Sequence, residues 1–446
     1  MKFSKYNLIL PGNPDDKDNF NFLFNTLTGH CFEIDGTTLK AIQKGNPEML
    51  INTDVIKAFQ KMAILVDDNT DETRIVSYHH NREKFASDAI ASTVFLTWDC
   101  NLKCVYCFES TNQGSFNMSF ALADRYISFM IKLSKSKRAR SMSIFLFGGE
   151  PLLNIDVGFY ILEKLKTYCV TNNIVFTSSI ITNGTLINED KIDKLIEYNC
   201  RSIQITLDGT KDIHDSRRMK KNDTGSFDSI INTLKLLNAK CRNIHTVIRI
   251  NIDKSNLNET YDLIKYIGKS GIDLTNCTVD FGIVRNPTNV CSAFSGCSIT
   301  DEDIGDVLND LWGFAENEGF FYRIQPMRKH IYCGLYSDNN YSVSPECDIY
   351  KCWEHVGHKE HLMGNLDEKG NLVNIQYALY DWMSNNPLSN SDCYECVYLP
   401  ACGGGCGVTS YNETKSYHST GCFKIKGVVE KQVLKYIERV RKSSKK

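Results

Sequence analysis

The stretch Thr93-Val-Phe-Leu-Thr-Trp-Asp-Cys100-Asn-Leu-Lys-Cys104-Val-Tyr-Cys107 joins an apolar segment to three closely spaced cysteines. Most residues of Thr93–Trp98 are β-branched or aromatic, which predicts a strand. The spacing C-x3-C-x2-C then gathers three thiols on one short loop. Such a loop can hold an iron–sulfur cluster with one open coordination position. The alternative left by the spacing alone is a zinc knuckle with a distant fourth ligand.

Strand-like and helix-like segments alternate along the chain from this stretch onward. The predicted strands are Thr93–Trp98, Ser143–Phe147, Val175–Thr182, Ser202–Leu207, Thr246–Ile252 and Thr278–Val284. The predicted helices are Phe120–Leu133, Val157–Cys169, Asn188–Tyr198, Ser226–Leu237 and Asn258–Lys269. This alternation predicts an α/β fold with a parallel sheet, either an open doubly wound sheet or an incomplete barrel. In both architectures ligands bind at the carboxyl ends of the strands, where the cysteine loop begins.

The composition is typical of a soluble chain with more than one domain. At 446 residues the chain is too long for a single ordinary domain. Its formal net charge of −2 gives no reason to expect nucleic-acid binding, and no apolar run is long enough to predict a membrane span. Met1–Leu10 lacks the features of a signal peptide, so we expect a cytoplasmic protein. In a reducing compartment, the 18 cysteines are better explained as metal ligands than as disulfides.

Two further units flank the alternating segment. Residues 1–90 predict a small α+β domain, a β-meander followed by helices, in which 67–84 is a polar linker with His79 and His80 on the surface. After residue 326 the strands become short and the cysteines dense, so this unit would depend on bound metal for stability. We therefore predict domains at 1–90, 91–325 and 326–446, the last ending in a helix over Gly427–Lys446.

A glycine-rich motif accompanies the cysteine loop. The second predicted strand ends in Phe147-Gly148-Gly149-Glu150-Pro151, where glycines permit close backbone approach and a carboxylate suits an ammonium group. With the cysteine spacing and the aromatic Tyr106, this turn resembles the radical S-adenosylmethionine (SAM) superfamily over residues 92–290. The resemblance implies a partial (β/α)6 barrel, a 4Fe–4S cluster on the three cysteines, and SAM bound by Gly148, Gly149, Glu150 and Pro151.

The same resemblance suggests roles for residues after the third and fourth strands. Asn183 in Thr182-Asn183-Gly184 is a candidate SAM contact, with an ordinary turn as the alternative. The run Thr206-Leu207-Asp208-Gly209, followed by His214-Asp215 and Arg217, looks like the S-x-D-G…H-D-x-x-R stretch of peptide-modifying members. Thr206 and Arg217 are then candidate SAM contacts, and the adjacent Arg218 is the alternative partner of the SAM carboxylate. Asp208 is the candidate catalytic residue, with an Asx-turn as the alternative.

A second group of cysteines lies near the C-terminus. It reads Cys393-x2-Cys396-x5-Cys402-x3-Cys406 and then Cys422, with Cys333 and Cys352 upstream. This group resembles the SPASM extension of radical SAM enzymes, which carries up to two auxiliary 4Fe–4S clusters. The resemblance implies one cluster on Cys393, Cys396, Cys402 and Cys422, and another on Cys333, Cys352 and Cys406, which makes three clusters in the chain. The second set lacks a fourth cysteine: Cys347, standing where the family has glycine, is the local candidate, and an open iron site or a smaller cluster is the alternative.

These resemblances imply an enzyme that uses a 5′-deoxyadenosyl radical to take a hydrogen atom from a peptide or protein. We expect maturation of a ribosomally synthesised precursor peptide by a thioether or carbon–carbon crosslink. Residues 1–90 resemble winged-helix-like peptide-recognition domains, which bind a leader sequence as an added strand. Formylglycine formation on a sulfatase is the alternative, disfavoured because Trp353 follows Cys352 where sulfatase-maturing enzymes usually have aspartate. A non-enzymatic metal-binding protein is a third alternative, and an enzyme would need an electron donor such as flavodoxin or ferredoxin.

Overall fold

The computed structural model describes residues 1–12, 20–86, 88–109, 114, 116–241, 243–284, 299–300, 303–320 and 328–444. The predicted boundary between residues 325 and 326 lies outside the described residues. Within these ranges, no helix has the length and apolarity that a membrane crossing requires.

The N-terminal unit is a small α+β domain. Its strands are β1 (Lys2–Phe3), β2 (Asn7–Leu10), β3 (Asn21–Asn25), β4 (Cys31–Ile34) and β5 (Leu65–Val66), and its helices are α1 (Gly36–Gln43), α2 (Thr53–Lys61) and α3 (Glu72–Phe85). Strands β2, β3 and β4 form an antiparallel meander, and β1 pairs with β5. Leu23, Ile34 and Phe59 belong to the apolar core between this meander and the helices.

Helix α3 corrects the prediction of a linker at 67–84. Asp71 caps the helix by accepting a hydrogen bond from the Thr73 amide at 3.1 Å. His80 is only 3% exposed rather than on the surface, and its Nδ1 lies 2.9 Å from the carbonyl oxygen of His330. The buried Lys84 donates to the carbonyl of Asn385. The polar composition concealed the helix because its buried side consists partly of polar groups whose partners lie far along the chain.

Parallel strands alternating with helices form the centre of the molecule. The strands are β6 (Ala89–Phe95), β7 (Ser141–Phe147), β8 (Val175–Thr182), β9 (Cys200–Thr206), β10 (His245–Ile252) and β11 (Cys277–Ile283). The helices are α4 (Phe120–Lys137), α5 (Ile155–Thr171), α6 (Glu189–Glu197), α7 (Lys211–Arg217), α8 (Phe227–Lys240), α9 (Leu257–Gly268) and α10 (Ile304–Asn317). The strands pair in chain order, each parallel to the next, which confirms the predicted α/β class with a partial (β/α)6 core.

Local sequence explains why these elements form. Buried and partly exposed residues alternate along β7 and β8, so each strand presents one apolar face to the helices. Asn188 caps α6 as predicted, with its side chain accepting from the Lys191 amide at 3.0 Å. Gly271, beyond the end of α9, has φ of +78°, a conformation that favours glycine. Because the strands are parallel, their carboxyl ends lie along one edge of the sheet.

The third unit has short strands, as expected, and these continue the central sheet. Its strands are β12 (Asn340–Val343), β13 (Asp348–Tyr350), β14 (Gly364–Leu366) and β15 (Leu372–Val373). Its helices are α11 (Tyr377–Ser384), α12 (Ser391–Tyr394), α13 (Leu399–Cys402), α14 (Gly407–Thr414) and α15 (Val428–Ser444). Strand β12 pairs in parallel with β6, and β13, β14 and β15 follow as antiparallel neighbours. The third unit is thereby anchored beside the strand that leads into the cysteine loop.

The N-terminal meander packs against the C-terminal cysteine group. Phe22 and Phe24 of β3 share an apolar cluster with Cys402 and with residues of α15. Thr26 Oγ1 donates to the carbonyl oxygen of Val397 at 2.6 Å. The meander therefore has one face on its own helices and the other on the third unit.

Candidate active site

The cysteine loop leaves the carboxyl end of β6 and is held by the segment that follows α7. Lys103 N donates to the Met219 carbonyl at 2.8 Å, and Val105 N donates to the Arg217 carbonyl at 3.0 Å. These backbone hydrogen bonds bring residues 217–221 alongside the loop. Side chains of that segment consequently lie next to the thiols.

The three thiols lie within electrostatic range of one another. Burial raises the pKa of Cys100 to about 12, Glu150 and Cys104 add to the shift, and Arg218 opposes it. Burial also raises the pKa of Cys104 and of Cys107. Such thiols stay protonated near neutral pH unless a metal displaces the proton, so metal binding here would release protons.

The glycine-rich turn packs directly on the chain that enters the cysteine loop. Gly149 N donates to the Thr97 carbonyl at 3.0 Å, and Glu150 N donates to the Asp99 carbonyl at 2.8 Å. Gly148 has φ of +134°, and a Cβ there would lie 2.6 Å from Thr97 O. A Cβ at Gly149 would lie 2.4 Å from Asp99 O. Close backbone approach therefore requires glycine at both positions.

Glu150 joins the glycine-rich turn to the end of β8. Its carboxylate is fully buried and accepts hydrogen bonds from Thr182 Oγ1 at 2.7 Å, Asn183 N at 2.8 Å and Leu152 N at 3.0 Å. Burial raises the pKa of Glu150, and these hydrogen bonds lower it. Pro151 begins the short 3-10 helix Pro151–Asn154 that follows. A carboxylate has about four acceptor positions, so three donors leave capacity for a ligand.

Asn183 and Thr206 end β8 and β9 at the same edge of the sheet. Asn183 Nδ2 donates to Asn101 Oδ1 at 2.8 Å and lies 3.9 Å from Cys100 Sγ, so this side chain contacts the cysteine loop. Thr206 is 8% exposed and is the last residue of β9, two positions before Asp208. The structure thus brings both predicted residues to the strand ends that surround the loop.

Asp208 is hydrogen-bonded within the protein through both oxygens. Oδ2 accepts from the Tyr106 hydroxyl, and Oδ1 accepts from Asn251 N at 2.9 Å. Asn251 Nδ2 donates in turn to the Tyr106 hydroxyl at 3.1 Å. The side chain of Asp208 has no exposed surface. These contacts favour a positioning role for Asp208 over the predicted catalytic one.

The two adjacent arginines have different partners. Arg217 Nη1 donates to Asp253 Oδ2 at 2.9 Å and to Ser255 Oγ at 3.1 Å, so its guanidinium is already bound. Arg218 is 8% exposed, and its positive charge opposes the burial that raises the pKa of Cys104. The Nε atoms of both arginines have no hydrogen-bond partner among the described residues. Arg217 also lowers the pKa of Cys104, but less than Arg218 does, so Arg218 acts more strongly on the cysteine loop.

The sequence contained a signal for Arg218. The spacing H-D-x-x-R, counted from His214, places its arginine at Arg218. The other residues of the motif have structural partners: His214 Nδ1 accepts from Asp208 N at 3.2 Å, and Asp215 Oδ1 accepts from Phe227 N at 2.8 Å. The motif therefore holds the turn after β9 and the start of α8, and aims Arg218 at the site.

The structure brings together four cysteines of the C-terminal group. They line a cavity together with neighbouring residues, and its walls are Cys393, Cys396, Tyr398, Leu399, Cys402, Gly404, Gly405, Cys422, Ile425 and Lys426. Gly405 has φ of +86°, and a Cβ there would lie 2.6 Å from Gly421 O. Only glycine at position 405 lets the backbone approach Gly421 this closely beside the cavity.

Cys333, Cys352 and Cys406 lie together around the ring of Tyr336. Burial raises the pKa of the Tyr336 hydroxyl well above its usual value, and all three thiols add to the shift. The Tyr336 hydroxyl donates to the Gly405 carbonyl at 3.3 Å. This set is therefore adjacent to the four-cysteine cavity.

Cys347 lies apart from that set, and its contacts do not favour the predicted role as the fourth ligand. Its Sγ donates to the carbonyl oxygen of Leu122 on α4 at 3.3 Å. The charged groups that affect its pKa, after burial, are Arg125, Asp348 and Glu346, and no other cysteine is among them. The turn between β12 and β13, where Cys347 has φ of +71°, directs the thiol into the core beside α4.

The donor sets suit a cluster better than a single ion. Within the described part of the chain, no three His, Cys, Asp or Glu side chains are arranged to hold one metal ion. A 4Fe–4S cluster binds each cysteine through a different iron, so its ligands surround a larger volume. The four-cysteine cavity and the three-thiol loop both have this donor chemistry.

Comparison with known proteins identifies the central unit. Residues 94–279 match the family model of the Radical SAM superfamily. They form a radical SAM domain. The matched range contains the cysteine loop, the glycine-rich turn, Asp208 and Arg218, so the predicted resemblance is confirmed.

The relatives of this chain include proteins named for the maturation of sulfatases or peptides. The chain is 27% identical to the cysteine-type anaerobic sulfatase-maturating enzyme of Clostridium novyi over 336 residues, which cover 69% of this chain and 85% of the relative. It is 28% identical to the sporulation killing factor maturation protein SkfB of Bacillus subtilis over 183 residues, which cover 41% of this chain and 40% of the relative. The chain is an enzyme.

A solved structure shares most of the fold. Streptococcus suis SuiB, bound to its precursor peptide SuiA, superimposes with a TM-score of 0.53 at 17% identity and covers 94% of this chain and 98% of SuiB. The match leaves only about 27 of the 446 residues of this radical SAM enzyme uncovered. Because the N-terminal unit is much longer than that, most of it has a structural counterpart in SuiB.

The radical SAM domain implies two cofactors, SAM and a 4Fe–4S cluster. The residues present fit both. Three mutually close thiols lie on one loop, the backbone cradle at Gly148 and Gly149 has no room for a Cβ, and the buried Arg218 offers an unpaired Nε.

Proposed function

We propose that SAM binds at the carboxyl ends of β6 to β9, beside a 4Fe–4S cluster held by Cys100, Cys104 and Cys107. Gly148, Gly149, Glu150 and Pro151 would bind its amino group, because the turn supplies close backbone and a buried carboxylate. Asn183 and Thr206 would complete the pocket. Arg218 would bind the carboxylate of SAM, in place of Arg217, which is occupied by Asp253.

In this arrangement the protein positions the reactants and excludes water. When bound, the cluster supplies the electron that cleaves SAM to the 5′-deoxyadenosyl radical. Glu150 holds the amino end of SAM, and Arg218 holds its carboxylate end. Asp208 fixes the turn after β9 through its hydrogen bonds with Tyr106 and Asn251.

We further propose that the substrate is a ribosomally synthesised precursor peptide, in which abstraction of a hydrogen atom leads to a thioether or carbon–carbon crosslink. The observation that carries this proposal is the N-terminal unit, most of which falls within the 94% of this chain that superimposes on SuiB bound to a precursor peptide. In this chain β2 and β4 each pair on one side only within the described residues, so each offers an edge for a leader strand.

Formylglycine formation on a sulfatase is the second candidate, supported by the identity to the Clostridium novyi enzyme. Two features weigh against it. Trp353 follows Cys352, where sulfatase-maturing enzymes usually have aspartate. The sequence match to that enzyme also leaves 31% of this chain unmatched.

The C-terminal cysteines are proposed to hold two auxiliary 4Fe–4S clusters, giving three in all. Cys393, Cys396, Cys402 and Cys422 would hold one in the four-cysteine cavity. Cys333, Cys352 and Cys406 would hold the other, with an open iron position instead of a bond to Cys347. We assign the three domains to 1–90, 91–325 and 326–446, with a flavodoxin or ferredoxin as electron donor in the cytoplasm.

The test is reaction of the anaerobically reconstituted enzyme with SAM, a reductant and a precursor peptide encoded beside it. Mass spectrometry should show loss of two hydrogens in the core peptide and formation of 5′-deoxyadenosine. A parallel reaction uses a peptide that carries a sulfatase cysteine or serine motif. Conversion of that peptide to formylglycine, with the precursor unchanged, would replace the first proposal by the second.

A further inference from the structure

The hydroxyl of Tyr106, the residue before the third cysteine, joins the ends of two strands to the end of α7. Arg218 Nη1 donates to it at 2.6 Å, and Asn251 Nδ2 donates to it at 3.1 Å. The hydroxyl donates its own proton to Asp208 Oδ2. A phenol has one donor and two acceptor positions, so these partners use all of them.

The ring of Tyr106 is fixed as well. The guanidinium carbon of Arg217 lies 5.1 Å from the ring centroid, within the range of a cation–π contact. Arg217 is held in turn by Asp253 and is 5% exposed. The direction of the hydroxyl is therefore determined on both sides by buried groups.

Arg218 is a buried cation without an ion-pair partner. Within the described part of the chain, no carboxylate lies within salt-bridge distance of Arg218; the carboxylate of Asp208 lies 3.9 Å from Arg217 Nε instead. The Tyr106 hydroxyl stands between Arg218 and Asp208 and links them only indirectly. A buried guanidinium in this state is costly unless an anion approaches it. Its Nε, like that of Arg217, has no hydrogen-bond partner among the described residues and is available to such an anion.

We propose that Tyr106 is a positioning residue whose hydroxyl aims Arg218 at the carboxylate of SAM and keeps Asp208 from neutralising it. This inference rests on the proposed role of Arg218. Tyr106 acts only through Arg218, so the effect of its hydroxyl on binding depends on whether the ligand carries a carboxylate.

The experiment compares SAM with decarboxylated SAM, which lacks only that carboxylate. Dissociation constants are measured for the cluster-loaded wild type, Y106F and the control Y266F, whose side chain is 45% exposed on α9. Y106F should weaken SAM binding by about tenfold or more, the usual effect of a hydrogen bond to a charged group. It should leave decarboxylated SAM within about twofold of wild type, and Y266F should change neither.

A double-mutant cycle completes the test. R218A should weaken SAM binding, and Y106F/R218A should bind SAM no more weakly than R218A alone, because the hydroxyl has nothing left to position. The electron paramagnetic resonance signal of the reduced cluster should still change on SAM addition in Y106F, but only at higher SAM concentration.

Three outcomes would overturn the inference. These are unchanged SAM affinity in Y106F, equal losses for SAM and decarboxylated SAM, and additive losses in the double variant. A wild type that binds neither ligand would instead refute the proposed function itself. The two failures are therefore distinguishable.

Discussion

Glu150 accepts a hydrogen bond from the backbone amide of Asn183 at 2.8 Å, so a single buried carboxylate connects the carboxyl ends of β7 and β8. The same group accepts from Thr182 Oγ1 at 2.7 Å. A residue predicted only as a ligand contact thus also fixes the geometry of the pocket. Its substitution is expected to affect both stability and binding.

We predict that Glu150→Ala destabilises the protein and weakens SAM binding more than Arg217→Ala does. Three buried donors lose their acceptor, which costs about 1–3 kcal/mol of unfolding free energy. Loss of the carboxylate opposite the SAM ammonium should weaken binding by about tenfold or more. Calorimetry and thermal unfolding measure the two effects, with the exposed Glu163→Ala on α5 as the control. Unchanged SAM affinity in a folded Glu150→Ala protein would remove this assignment.

We predict that substitutions of the two adjacent arginines differ in which property they affect: SAM binding for Arg218, and stability for Arg217. Arg218→Ala should weaken SAM binding by about tenfold or more with little loss of stability, because it removes a cation that lacks an ion-pair partner. Arg217→Ala leaves the carboxylate of Asp253, 1% exposed, without its partner and should destabilise the fold by about 3–5 kcal/mol. SAM titration and urea unfolding under argon distinguish the two. If Arg217→Ala proves to be the variant with the larger loss of SAM affinity, the assignment to Arg218 is wrong.

We expect more than one cluster in the reconstituted chain. Anaerobic reconstitution should give more than four irons per chain, a threshold set by the four irons of a single 4Fe–4S cluster, and absorption from thiolate-to-iron charge transfer. Replacing Cys100, Cys104 and Cys107 together with alanine should abolish SAM cleavage while iron remains in the C-terminal groups. Iron analysis beside an assay for 5′-deoxyadenosine provides the measurement. Finding zinc as the sole stoichiometric metal would contradict the assignment of all three cysteine sets to iron–sulfur clusters.

Cys347 and Cys352 provide a matched pair, because both are buried cysteines that flank β13. Cys347→Ser should retain the iron content and spectrum of the wild type, since its thiol bonds to Leu122 on α4. Cys352→Ser should lose iron from the set that surrounds Tyr336. Equal iron loss in both variants would instead support Cys347 as a cluster ligand.

Sequence patterns predicted most of the central sheet because its strands are locally encoded. Strand β8 was predicted with its observed bounds, Val175–Thr182, from β-branched residues in alternation. Strand β12 was missed because its pairing with β6 joins Asn340 to Ala91 across the chain, and no local pattern encodes such a contact. Helix α3 was missed for a related reason: its polar side chains find partners such as His330 only in the folded state.

The sequence predicted which residues form the candidate site, but not the hydrogen bonds that join them. The cysteine loop and the glycine-rich turn were identified together from two contiguous sequence motifs, since each depends on local geometry. The choice between Arg217 and Arg218 depends on Asp253, the residue after β10, which the sequence patterns did not single out. The roles of Tyr106 and Asn251 likewise emerge only where three strand ends meet.

The last prediction concerns the N-terminal meander as a leader-binding surface. A leader peptide added to the free edge of β2 or β4 should bind with roughly micromolar affinity, about −8 kcal/mol, and a scrambled leader should not. Hydrogen exchange on the full chain should show protection of backbone amides confined to one of these strands. Deletion of residues 1–87 should leave SAM cleavage intact, because the candidate SAM residues run from Cys100 to Arg218, but should slow modification of the full precursor.

That deletion also uncovers the four-cysteine cavity, because Phe22 and Phe24 pack with Cys402. The deletion should therefore be compared with a point variant that leaves the cavity covered. Glu33→Pro in β4 removes one backbone donor from the edge while keeping the packed face of β3. If β4 is the docking edge, this variant should lose leader binding and keep its iron. If neither the deletion nor a leader peptide alters modification of the precursor, the N-terminal unit serves only to cover the cavity. That result would favour a reaction of the sulfatase-maturating type.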